Sequence, residues 1–109
     1  MIDGRVDDEM KVEPLDEKFA AFGFNVTRID GHNMKQLNDA IEAAIKNHQD
    51  GGDKPTAIIM DTYKGAGVDF MQDNYLWHYG SLDDEKMAAA NKSLDKYLQE
   101  RIARIEQEA

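Results

Sequence analysis

The chain has 109 residues, 22 acidic against 13 basic side chains, a formal net charge of -9 and no cysteine. This length allows one modest domain and no second core, and the acidic balance excludes broad electrostatic binding to nucleic acid or an anionic membrane surface. Disulfides, thiolate catalysis and cysteine-based metal sites are excluded outright. No apolar run approaches the ~20 residues of a membrane span. Met1 leads straight into the acidic segment Ile2 to Glu13 without a signal-peptide core, so the expected setting is cytoplasmic.

In chain order, residues 1–13 show neither helical nor strand period and read as a loop. Pro14 suits the first turn of a helix, Asp16 and Glu17 complement its amino end, and Leu15, Phe19 and Phe22 share one face as core residues. Gly23 then reads as the C-terminal cap. Phe24 to Ile29 is rich in β-branched and aromatic residues, with Phe24, Val26 and Ile29 turned inward, and predicts a strand. Asp30-Gly31 is turn chemistry, and His32 or Asn33 opens the next helix. From Met34 to Lys46 the apolar positions Met34, Leu37, Ile41, Ala44 and Ile45 fall on one side. His48 to Lys54 makes the return loop, with His48 as a surface residue.

A second strand runs from Pro55 to about Thr62. Strand, helix and strand with connections this short form a βαβ unit with parallel strands and a right-handed crossover. Ala57 to Met60 is apolar at every position, as in a strand covered on both faces. Only two strands are legible, and a two-stranded parallel sheet leaves open edges and an uncovered face, so the chain is expected to need a partner. Ser81 with Asp84 resembles a capping box, and Met87, Ala90, Leu94, Leu98, Ile102 and Ile105 keep helical spacing to about Glu106. That last amphipathic helix is either a cover or an arm. The fold class is therefore α/β, a parallel βαβ unit with an incomplete sheet and a long C-terminal helix, arranged as one partial domain of residues 1–109: loop 1–13, helix plus βαβ and loop 14–80, and helix 81–109.

Chemistry is expected after the second strand, where Lys64-Gly65-Ala66-Gly67 leads to Trp77-His78-Tyr79, because polar loops at the carboxyl ends of parallel strands line ligand crevices. The competing readings are plain ones. Lys64 alone is an exposed loop lysine, and His78 alone is a side chain packed in an aromatic corner. Asp7, Asp8 and Glu9 read as a solvated charge run rather than a metal cluster. The Gly-x-Gly follows a lysine and matches neither a P-loop nor a dinucleotide fingerprint.

Taken together, Ile2-Asp3-Gly4, Glu13-Pro14-Leu15, Phe19 to Val26, Ile29-Asp30-Gly31-His32, Lys54 to Ile59, Thr62 to Val68 and Phe70-Met71 through Trp77-His78 resemble the later part of the amino-terminal, diphosphate-binding domain of transketolases, most closely the family's separately encoded amino-terminal subunits. The resemblance implies an enzyme that uses thiamine diphosphate with Mg²⁺ to transfer a two-carbon ketol unit between sugar phosphates of pentose phosphate metabolism. It places Lys64 and His78 at the cofactor's diphosphate, His78 also at the substrate as the catalytic residue, and Ile2 as an apolar neighbour of the cofactor. Gly65 and Gly67 are expected to let the backbone approach phosphate oxygens.

The chain departs from the family pattern at its start. Ile2-Asp3-Gly4 stands immediately after the place of the family's metal-binding asparagine, so none of its residues is assigned to the metal, and the pyrimidine-binding domain is outside it. Two functions follow. The first is a fragment or split subunit of a transketolase-like enzyme, inactive alone and completed by complementary segments or by another polypeptide. The second is a non-catalytic remnant that oligomerises by self-association through the same scaffold.

Overall fold

The computed structural model describes residues 1–108, and two compact units emerge from it: Val6–Thr62, and Met1–Arg5 together with the chain from Tyr63 onward. Among the described residues the elements are α1 (Val6–Glu9), α2 (Leu15–Ala21), β1 (Asn25–Asp30), α3 (Met34–Gln49), β2 (Thr56–Asp61), a 3-10 turn (Tyr75–His78) and α4 (Asp84–Glu108).

The Val6–Thr62 unit is the βαβ unit. β1 and β2 pair in parallel, in register from Asn25 with Thr56 to Asp30 with Asp61, and α2 and α3 both pack on β1. Residues 1–13 hold one helical turn, α1, whose Asp7, Asp8 and Glu9 lie in its first turn, where acids offset the helix dipole. Pro14 stands one position earlier than expected, as the N-cap of α2 in extended backbone. The carboxylate of Glu13 does the capping, accepting the Leu15 N–H at 2.9 Å.

The other end of α2 closes as the sequence predicts. Gly23 takes φ of +89°, its N–H donates to Ala20 O at 2.9 Å, and the Phe24 N–H donates to Phe19 O at 3.2 Å. These two bonds make a Schellman cap, and the apolar contact such a cap brings is the edge-to-face pair Phe19–Phe24, with centroids 5.4 Å apart. Phe22, expected in the core, is 83% exposed. The cap directs the C3 residue Phe19 and the C″ residue Phe24 at each other and leaves the C-cap side chain outside.

α3 is opened by Asn33, whose side-chain oxygen accepts the Lys35 and Gln36 N–H groups at 3.0 and 3.1 Å. Asp30 accepts the His32 N–H at 2.9 Å, the Asx turn expected of Asp-Gly. The helix runs three residues past Lys46, so His48 is an exposed residue of its last turn rather than of a loop. Its packed edge is Leu37, Ala40, Ala44 and Asn47, with Ala40 buried, while Met34, Ile41 and Ile45 stay exposed. The apolar stripe is wider than the two strands it has to cover. For the same reason Thr56 to Ile59 are half-buried and Met60 exposed, instead of covered on both faces.

One cation ties this unit together. The Arg28 guanidinium donates from Nε and Nη2 to Asp61 at 2.8 Å each, and from Nη1 and Nη2 to Glu13 at 3.0 Å each. β1, β2 and the entry to α2 are thereby joined by four charge-assisted bonds. The arrangement holds both carboxyls below their ordinary range, chiefly through the Arg28 hydrogen bonds, and for Glu13 also through the Leu15 N–H. It raises Arg28 correspondingly.

In the second unit α4 is capped by Asp83 rather than by the expected Ser81. The Asp83 carboxylate accepts the Lys86 N–H at 2.8 Å and pairs with the Lys86 ammonium, and its carbonyl takes the first helical bond from Met87. Lys86 holds the Asp83 carboxyl low. The inward face of α4 is Ala90, Ser93, Tyr97 and Arg101, with Arg101 5.6 Å over the Tyr97 ring. Of the expected stripe only Ala90 is buried, and Met87, Leu94, Leu98, Ile102 and Ile105 are exposed. Among the described residues no helix is long and apolar enough to cross a membrane.

Candidate functional site

The second unit holds every residue assigned to the site by resemblance: Ile2, Lys64, Gly65, Gly67 and His78. Its organising piece is the loop from Lys64 to Asp73. Turn bonds run through it from Val68 N–H to Gly65 O at 3.1 Å and from Met71 and Gln72 N–H to Val68 O at 2.9 Å. The Asp73 N–H closes the loop on Lys64 O at 2.7 Å. Backbone groups in an irregular segment need such partners, and here each turn supplies the next.

Both glycines are required by this closure. Gly65 and Gly67 have φ of +69° and +94°, a region L side chains rarely enter. A Cβ on Gly65 would lie 2.5 Å from the Met71 carbonyl oxygen, and one on Gly67 3.1 Å from the Tyr97 ring of α4 and 3.3 Å from Leu94. The loop's own packing is thus sufficient reason for glycine at each position. Val68, next to Gly67, is buried beside them.

Downstream, Asn74 caps the 3-10 turn by accepting the Leu76 N–H at 3.1 Å. Trp77 is half-buried, its ring 5.1 Å from Phe70 and tight over Gly80, where a Cβ would collide with it. His78 has no part in this contact. It is exposed, edge to face with Tyr79 at 4.6 Å, and Tyr79 is itself 84% exposed. The packed aromatic corner belongs to Trp77, and His78 lies at the surface. Lys64 is half-buried, and among the described residues its ammonium enters no hydrogen bond or ion pair.

Two residues that sequence reasoning passed over also act on this loop. Asp73 sits at φ of +54°, the single non-glycine residue with positive φ among those described, and its carboxylate accepts from Arg5 Nη1 at 2.5 Å. Nothing in the local pattern pairs positions 68 apart, and only the tolerance of Asp for left-handed backbone hints at Asp73.

The residues assigned to the diphosphate offer donors of the kind it needs, an ammonium on the Lys64–Asp73 loop and an imidazole in the 3-10 turn beyond it, while the loop itself also carries the carboxylates of Asp69 and Asp73. Mg²⁺ asks for an octahedral shell of oxygen ligands, and among the described residues no group of three or more His, Asp or Glu side chains is gathered to hold a metal ion. The described residues therefore fit the anionic part of a metal-diphosphate cofactor and not the metal.

A parallel βαβ unit followed in the chain by a glycine-hinged loop makes this a protein of the α/β class. Residues 1–104 match the family model described as the transketolase thiamine diphosphate binding domain. The chain belongs to the transketolase family, within that domain. It is 38% identical over 95 residues to a 6-deoxy-6-sulfo-D-fructose transketolase subunit of Clostridium sp. (strain MSTE9), covering 87% of this chain and 33% of that one. It is 33% identical over 76 residues to an apulose-4-phosphate transketolase subunit of Actinobacillus succinogenes, covering 70% and 26%. Against transketolase-like protein 2 of Bos taurus the identity is 41% over 66 residues, 61% of this chain and 10% of that protein. The chain thus spans a third or less of the length of these curated relatives.

Proposed function

We propose that the chain is one piece of a split transketolase-type enzyme and contributes the diphosphate-side loop of a joint active site. The observation that carries this reading is that Ile2, Lys64 and His78 fall in one compact unit of a thiamine diphosphate binding domain, with Lys64 unpaired among the described residues and His78 exposed. The ammonium of Lys64 neutralises a diphosphate oxygen, main-chain N–H groups near Gly65 and Gly67 add neutral donors, and Ile2 gives the cofactor an apolar neighbour. His78 donates a proton or hydrogen bond toward diphosphate and substrate oxygens. Thiamine diphosphate, when bound, supplies the carbanion chemistry by which a two-carbon ketol unit moves between sugar phosphates. The metal ligands and the rest of the site belong to a complementary segment or polypeptide, in keeping with relatives that are themselves named as subunits.

The test is calorimetric titration of thiamine diphosphate with Mg²⁺ into the chain alone and into a chimera in which residues 1–104 replace the matching segment of a transketolase amino-terminal subunit. The chimera is expected to bind, and Lys64→Ala to weaken binding about tenfold, the worth of one charge-assisted hydrogen bond. A chimera that melts cooperatively yet takes up no cofactor, or binds equally well without Lys64, sinks the proposal.

The exposed stripe Leu94, Leu98, Ile102 and Ile105 on α4 favours a second reading, a non-catalytic module that associates with itself. Sedimentation decides it. A chain that stays monomeric at high concentration is not such a module.

A further inference from the structure

We propose that Arg5 and Asp73 are positioning residues, a clamp that fixes the Lys64 loop against the segment carrying Ile2. This rests on the reading of Ile2 and Lys64 as cofactor neighbours. Asp73 is bonded in two directions: its backbone N–H donates to Lys64 O at 2.7 Å, and its carboxylate receives Arg5 at 2.5 Å. Arg5 lies three residues from Ile2 and Asp73 closes the turn that begins at Lys64, so one ion pair sets the spacing of the two cofactor-side segments across 68 positions of sequence.

The left-handed backbone of Asp73 makes the same point. A non-glycine residue holds positive φ where its surroundings over-determine it, and here the Lys64 carbonyl and the Arg5 guanidinium do so together. Both side chains are about half exposed, so the pair adds little to global stability. Its effect is on where the loop rests. Catalytic groups displaced by about an ångström lose much of their effect, which is why a weak clamp on a binding loop has functional weight.

The experiment is amide hydrogen exchange by NMR on the full chain, without cofactor. Arg5→Gln and Asp73→Asn are each expected to speed exchange at the Asp73 N–H about two- to fivefold while the melting midpoint stays in place. The double variant exchanges no faster than either single one, because both remove the same pair. Arg5→Lys, which keeps the charge, restores protection. Salt at about 1 M screens an exposed pair and speeds the same amide in the unmodified chain, so the test does not depend on any variant folding. Unchanged exchange in both single variants and in salt, or additive effects in the double variant, overturns the clamp. The outcome is independent of cofactor uptake: loss of thiamine diphosphate binding in the chimera defeats the functional reading, whereas exchange alone decides the clamp.

Discussion

The two compact units reach order by opposite means. Val6–Thr62 relies on repetition: a parallel ladder in constant register, a capped sixteen-residue helix and one guanidinium that joins both strands to the entry of α2. The unit of residues 1–5 and 63 onward relies on single events: two glycines at positive φ, one loop-closing bond at 2.7 Å, one ion pair and one ring packed over a glycine. Every residue assigned to chemistry sits in the second unit. Repetition gives a scaffold whose parts share load, whereas single events fix individual atoms, which is what a binding loop requires.

The largest effect that sharpens this contrast is expected from Gly65→Ala. Left-handed backbone and a Cβ 2.5 Å from the Met71 carbonyl together cost on the order of 2–3 kcal/mol. Urea unfolding followed by the fluorescence of Trp77, the only tryptophan, reports on this unit. An alanine there that leaves the Trp77 transition in place would show that the loop is not held by closure. Asn33→Ala is the counterpart in the repetitive unit and is expected to cost about 1 kcal/mol, read from protection of the α3 amides. It should leave the Trp77 signal in place.

The same contrast decides what could be read from sequence. The Schellman cap at Gly23, the strand pair, the helix after Asn33 and the open edges of the sheet all follow from periodicity and turn chemistry, which are local. Helix faces were legible only as stripes. Which part of a stripe is buried depends on the width of what lies beneath, so Ile41 and Ile45 stayed exposed while Ala40 was covered, and Phe22 yielded its place to the Phe19–Phe24 contact. The motif around Lys64, Gly65, Gly67 and His78 was visible through its family likeness. The bond from Asp73 to Lys64, the Arg5 pair and the three-way contact at Arg28 were not, because each joins positions that no local pattern relates.

A smaller effect separates the units by pH. Glu13 and Asp61 have folded pKa values depressed by Arg28, so the stability they contribute is complete above their unfolded values, about 4, and is lost as pH falls through the lower folded ones. Exposure of these groups keeps the effect modest. Acid titration of β1 and β2 amide protection is expected to show this loss below about pH 4. Arg28→Ala should flatten it there while leaving the Asp83–Lys86 contribution at the start of α4 untouched. An equally steep acid loss without Arg28 would mean that the scaffold is not organised around that cation.

The smallest expected change in stability carries the functional half of the contrast. His78 is exposed and Lys64 makes no ion pair among the described residues, so Lys64→Ala and His78→Ala should each shift unfolding by no more than about 0.5 kcal/mol. If the proposed function holds, the same substitutions lower cofactor affinity and turnover in the assembled enzyme. Measuring both quantities on the same variants separates the alternatives. Large loss of stability would make these side chains part of the loop's packing, and unchanged activity would make them surface residues. Only near-neutral stability combined with lost function identifies residues that a fold holds out for something it does not itself contain.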